Sequence, residues 1–187
     1  MSSASAFEVA HAVGAVPIAV LVALRVRGVR RASAWWILAA AFAVSFVADS
    51  LAHWVSPPLI SQVYPVTQAG LFALVLAPAS VAVPVIGLTI AAAGASVTWR
   101  DAAGLDFLLH AVAWGSTAVL AWRYLLAGPL RTSLLVGFGG GLVAWLGFAS
   151  DPGFMWWGAL QTCRALAAGW FAVAVWQTAR GTRDAVA

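Results

Sequence analysis

Residues 63–99 read VYPVTQAGLFALVLAPASVAVPVIGLTIAAAGASVTW, without one charged side chain. A bilayer core about 30 Å thick is crossed by about 20 apolar helical residues, so this stretch is too long for a single span. The break that suits it is Ala77-Pro78-Ala79-Ser80, because proline removes a backbone donor and restricts the residue before it. The stretch therefore reads as two helices joined by a tight, uncharged turn. The first runs from Val63 to Ala77 and is short for a span. The second runs from Ser80 to Trp99, with Pro84 near its start. A six-helix reading would need one of the pair to be re-entrant.

The same pattern continues in both directions. Upstream lie apolar segments from Phe7 to Leu24, ending in the basic loop Arg25-Val-Arg27-Gly-Val-Arg30-Arg31, and from Ala34 to Trp54, ending at Ser56-Pro57-Pro58. Downstream lie segments from Leu105 to Leu126, from Thr132 to Ala149 and from Phe154 to Thr178, separated by Gly128-Pro129 and by Asp151-Pro152-Gly153. The reading is an all-α, polytopic integral membrane bundle of about seven transmembrane helices. It forms one domain over residues 1–187, with no soluble domain. Connections this short bring sequential helices into up-down contact.

Composition agrees. Of 187 residues, 63% are hydrophobic and 9% charged, whereas a soluble domain is about 25% charged. One cysteine, Cys163, excludes an intrachain disulfide and Cys-based metal clusters. All basic residues are arginine, which excludes a lysine Schiff base and with it a lysine-linked retinal. No phosphate-binding glycine loop is present, and the net charge of +4 reports orientation in a membrane, not nucleic-acid affinity.

The arginines set that orientation. With the N-terminus out and the C-terminus in, the cytoplasmic side holds Arg25, Arg27, Arg30, Arg31, Arg123, Arg131, Arg180 and Arg183. The other side holds Arg100, beside Asp101. This split follows the positive-inside rule. Aromatic residues mark both interfaces, with Trp54, Tyr64, Trp99, Trp156 and Trp157 outside and Trp35, Trp36, Trp122, Tyr124 and Trp176 inside. A retained first helix, preceded by Glu8 and followed by arginines, fits the cytoplasmic membrane of a bacterium or archaeon.

Polar side chains inside a bilayer are costly, and here they line up in the outer half. The sets are Glu8 and His11; Ser45, Asp49 and His53; Tyr64 and Gln68; Asp106 and His110; Gln161 and Arg164. Spacings of three and four place each set on one helical face. If those faces turn inward they build one outward-facing cavity. Each histidine follows a carboxylate by three or four residues. His11, His53 and His110 could bind zinc or another divalent metal, with Asp49, Asp106 or Glu8 as general base or outer partner. The plainer reading is that these groups meet water or lipid headgroups, and a third is a proton relay.

Arg164 lies about ten residues into its helix, where an unpaired guanidinium would cost about 2.5–3.5 kcal/mol on insertion scales. It calls for an acidic partner, Asp49 first and Asp106 second, or serves as an anion clamp. Arg164, Gln161, Gln68 and Tyr64 are the candidate substrate-binding residues. Trp114, Trp145 and Trp170 read as packing, and Cys163 as a small apolar residue. Ser45 or Ser50 beside Asp49 and His53 gives sequence proximity, not triad geometry. Gly137, Gly139, Gly140 and Gly141 read as a close-packing face, with a subunit contact as the alternative.

Asp49-Ser-Leu-Ala-His53 resembles the SxxxH pattern in the second helix of the CREST superfamily of membrane hydrolases and PAQR-type receptors. There the pattern, with later histidines, binds zinc. Glu8-Val-Ala-His11-Ala-Val-Gly14 resembles the first helix of its bacterial members. The likeness is confined to these two short stretches. Asp49 stands where the family has serine, and the last helix lacks HxxxH. Asp106-Phe-Leu-Leu-His110 keeps that spacing with one histidine, in the fifth segment. No family assignment is made from it.

Three functions follow from the residues. The first is a membrane-embedded enzyme, metal-dependent in one form, acting on a lipid or small amphiphile. The second is a small-molecule or ion transporter using the same titratable groups. The third is an accessory subunit of an oligomer or larger membrane complex.

Overall fold

The computed structural model describes residues 32–51, 57–98, 105–150 and 154–179. Among them all regular structure is helical. Four helices of 20 residues come first: α1 (Ala32–Leu51), α2 (Pro57–Leu76), α3 (Ala79–Thr98) and α4 (Leu105–Tyr124). The fifth, α5, begins over Pro129–Leu134, passes through a π-helical segment at Leu135–Gly140 and resumes over Gly141–Ser150. The last, α6, spans Phe154–Ala179 and has 26 residues.

The described residues thus hold six helices, which correspond to six of the seven expected segments. The first expected segment, Phe7–Leu24, lies outside the described residues. Ala79–Ser96, Pro129–Gly147 and Met155–Thr178 are each long and apolar enough to cross a membrane.

The break between α2 and α3 falls at Ala77-Pro78, as expected. Ala77 N–H donates to the Ala73 carbonyl at 3.1 Å, which closes α2. The Pro78 carbonyl accepts from Val81 and Ala82 at 2.9 Å, which opens α3. Two boundaries differ from the expectation. The helix α2 starts at Pro57 rather than near Val63 and so is not short. Likewise α5 starts at Pro129, the first helical position, rather than at Thr132. The reason is common to both. Proline lacks a donor that the first turn would leave unpaired anyway, so it opens a helix as readily as it ends one.

Helix α1 packs on α2, α2 on α3 and α4, α3 on α4, α4 on α5, and α5 on α6. The centre is aromatic. Phe42 of α1 meets Phe72 of α2 edge-on at 5.7 Å and Phe171 of α6 at 4.7 Å. Phe138, in the π-helical segment, meets Phe72 at 4.9 Å and Phe42 at 6.2 Å. Trp35 adds a second link from α1 to Phe171, at 6.0 Å. These rings are fully or almost fully buried. Offset and edge-on ring pairs contribute about 0.5–1.5 kcal/mol each beyond area burial.

Small residues bring α5 against α6. Ser133 Oγ donates to the Ala167 carbonyl at 2.6 Å. A Cβ on Gly137 would lie 2.8 Å from Ala167 Cβ, and one on Gly140 would lie 3.1 Å from Cys163 Sγ. A Cβ on Gly147 would overlap the Trp156 ring. Positions 133, 137, 140 and 147 therefore form one seam, matched in reverse by 167, 163 and 156, as antiparallel helices require. The glycine face is a packing face within the chain. Such approach matters in lipid, where association rests on van der Waals contact and not on water release.

The seam makes a paired prediction. Gly137→Ala forces two Cβ atoms together on rigid backbones and should cost about 1–3 kcal/mol. Gly158→Ala has no heavy atom within 4 Å of the added carbon and should be neutral, or stabilising by up to about 1 kcal/mol, through helix propensity. Reversible unfolding in mixed micelles distinguishes the two. Equal effects would contradict the seam.

Candidate functional site

Up-down connectivity places the starts of α2, α4 and α6 at one end of the bundle, with the end of α5. The polar row of α2 and the histidine of α4 meet there. Tyr64 Oη and His110 Nε2 share a hydrogen bond of 2.9 Å across 46 residues of sequence. His110 is 2% exposed. Its ring is enclosed by Tyr64 at 5.7 Å, Trp114 edge-on at 5.1 Å and Trp145 at 4.9 Å. One phenol and two indoles, from three helices, thus pack on the His110 ring.

One turn deeper, Gln68 is buried and donates through Nε2 to the Ala41 carbonyl of α1 at 2.9 Å. That bond ties the polar row of α2 to α1. On the α6 side, the Arg164 guanidinium carbon lies 6.0 Å from the Trp114 ring centroid, at the outer edge of cation–π distance. Gln161 is one turn before Arg164 and half-buried. Gln161 Oε1 and Trp114 Nε1 are buried and make no hydrogen bond among the described residues.

The placement of the expected residues follows. Tyr64, Gln68 and His110 face the interior at one end, and Arg164 reaches the same tryptophan that packs on His110. Asp49 and Asp106 belong to α1 and α4, and their side chains lie outside what the structure describes. Glu8, His11 and His53 lie outside the described residues. Among the described residues no group of three His, Cys, Asp or Glu side chains could hold a metal. His110 is the only candidate metal ligand of the three that is described.

Two lining residues were not read from the sequence as part of the site. Trp114 and Trp145 read there as packing, yet they form two walls around His110. The spacing from His110 to Trp114, one helical turn, could have indicated the first. The second comes from α5, and no local pattern carries it. Comparison of the chain with protein-family models, with curated proteins and with solved structures finds no match.

The Tyr64–His110 bond should show as an energetic coupling. Interhelical hydrogen bonds in membrane proteins average about 0.6 kcal/mol and reach about 1.7 kcal/mol. A double-mutant cycle of Tyr64→Phe and His110→Ala, read by reversible unfolding, should give a coupling in that range. Additive effects within error would mean the contact carries no energy.

Proposed function

We propose that the chain is a membrane-embedded enzyme acting on a lipid or small amphiphile at the non-cytoplasmic end of a seven-span bundle. In this reading the N-terminus is outside, the C-terminus inside, and the host membrane is the cytoplasmic membrane of a bacterium or archaeon. The observation that carries it is the Tyr64–His110 pair, a buried acid–base side chain oriented by a phenol and walled by two tryptophans.

The chemistry assigns roles to named residues. Tyr64 holds the imidazole through Nε2 and so orients its ring, as outer partners of catalytic or metal-bound histidines do. His110 then serves as the proton carrier or, with His11 and His53, as a ligand to a zinc or similar divalent ion. Asp49, Asp106 or Glu8 supplies the general base. Arg164 clamps an anionic head group by its fork of donors, with Gln161, Gln68 and Tyr64 completing the polar contacts. The walls of Trp114 and Trp145 suit the apolar part of an amphiphile.

The test uses purified protein reconstituted into phosphatidylethanolamine–phosphatidylglycerol vesicles doped with a panel of amphiphiles. Products are read by mass spectrometry and metal content by elemental analysis. The wild type should convert at least one amphiphile. His110→Ala should lower turnover by at least about 100-fold, the lower range for loss of an acid–base group, and should lower bound metal if the metal form holds. Arg164→Gln should raise KM more than it lowers kcat. No conversion by the wild type overturns the enzyme reading. Proton-linked flux without conversion would replace it with a carrier, and obligate co-purification of other subunits with an accessory role.

A further inference from the structure

The opposite end of α4 carries a second polar feature, at the turn into α5. It lies about 20 Å along the helix from His110, at 1.5 Å per residue. Arg131 of α5 reaches back over the indole of Trp122 of α4, with its guanidinium carbon 3.9 Å from the ring centroid. Trp122 is 65% exposed, so its other face and edge are open to the surroundings. Arg123, the next residue, is exposed and lies 5.9 Å from the Tyr124 ring. Two cations thus belong to a single helix–helix turn, one of them over an indole.

The sequence has no aspartate or glutamate between Asp106 and Asp151. Arg131 also sits in the first turn of α5, where the helix dipole adds positive potential and favours an anion over a cation. Gly128 caps that helix without a side-chain hydrogen bond. A guanidinium held over an indole face still presents its fork of N–H donors, which can bind two oxygens of one phosphate at once. Exposed Leu126 and Trp122 continue the patch with apolar surface.

The geometry points to a binding site for an anionic phospholipid at the α4–α5 turn, with Arg131 and Arg123 on the phosphodiester and Trp122 and Leu126 against the glycerol and first methylenes. The ligand class follows from chemistry. Two guanidinium groups at one turn favour an anion, and the adjoining indole and leucine favour one attached to acyl chains, as basic pockets at helix ends bind lipid head groups. This site is separate from the His110 pocket and does not depend on its function.

Native mass spectrometry of the purified chain, with equal phosphatidylglycerol and phosphatidylcholine in the micelle, tests it. The wild type should retain phosphatidylglycerol at least about tenfold over phosphatidylcholine. Arg131→Gln should abolish the preference. Arg131→Lys keeps the charge that orients the chain in the membrane but loses the stacked fork, and should reduce the preference severalfold. Trp122→Leu should do the same. Equal retention of both lipids by the wild type, or an unchanged preference in Arg131→Gln, would overturn the site. Displacement of the lipid by millimolar inorganic phosphate would also overturn it, since the occupant would then be a soluble anion.

Discussion

The close approach of α5 to α6 is the constraint on which the rest of this bundle depends. In lipid, helices gain little by hiding apolar surface, so contact must come from shape. Ser133, Gly137, Gly140 and Gly147 remove the side chains that would hold the two helices apart. With the backbones close, Phe138 projects from the π-helical segment into the centre, where it meets Phe72 and Phe42. Phe171 completes the set from α6. One glycine-lined seam thus allows five helices to share a single aromatic centre, counting Trp114 of α4 at 6.5 Å from Phe138.

The candidate site is built on that centre. Trp114 packs on Phe138 below and on His110 above, and Trp145 comes from the same helix as the glycine seam. The benzo edge of Trp114 lies 3.7 Å from where a Cβ on Gly141 would sit. The indole that walls His110 therefore packs closely along α5. Polar groups at this end are held by packing that begins with small residues a turn or two deeper. Gln68, bonded to the Ala41 carbonyl, joins the same frame to α1.

The two ends of α4 differ in kind. At one end His110 is enclosed and shares its hydrogen bond with Tyr64. At the other, Arg123 is exposed and Arg131 lies over an indole open to the surroundings. A titratable ring screened from solvent suits chemistry on a bound molecule. Permanent cations at a helix end suit contact with the anionic surface of a bilayer. About 20 Å of uncharged helix separates the two.

The lengths of the apolar runs and the prolines and glycines between them were enough for the six described helices and for the turn at Ala77-Pro78. Both depend on residues near one another in the chain. The same local rules misplaced the starts of α2 and α5, since a proline that stops one helix can open the next. They put Tyr64 with Gln68, and His110 with Asp106, on one face of each helix, because spacings of three and four fix a face wherever the helix sits, but they left open whether those faces turn inward. They could not pair Tyr64 with His110, nor bring Trp145 to that ring, nor show that the glycines of α5 meet α6. Those contacts join residues tens of positions apart, and they depend on the rotation and depth of each helix against its neighbours. Rotation and depth are fixed by how side chains interlock across helices, a property of the assembled bundle that no single segment carries.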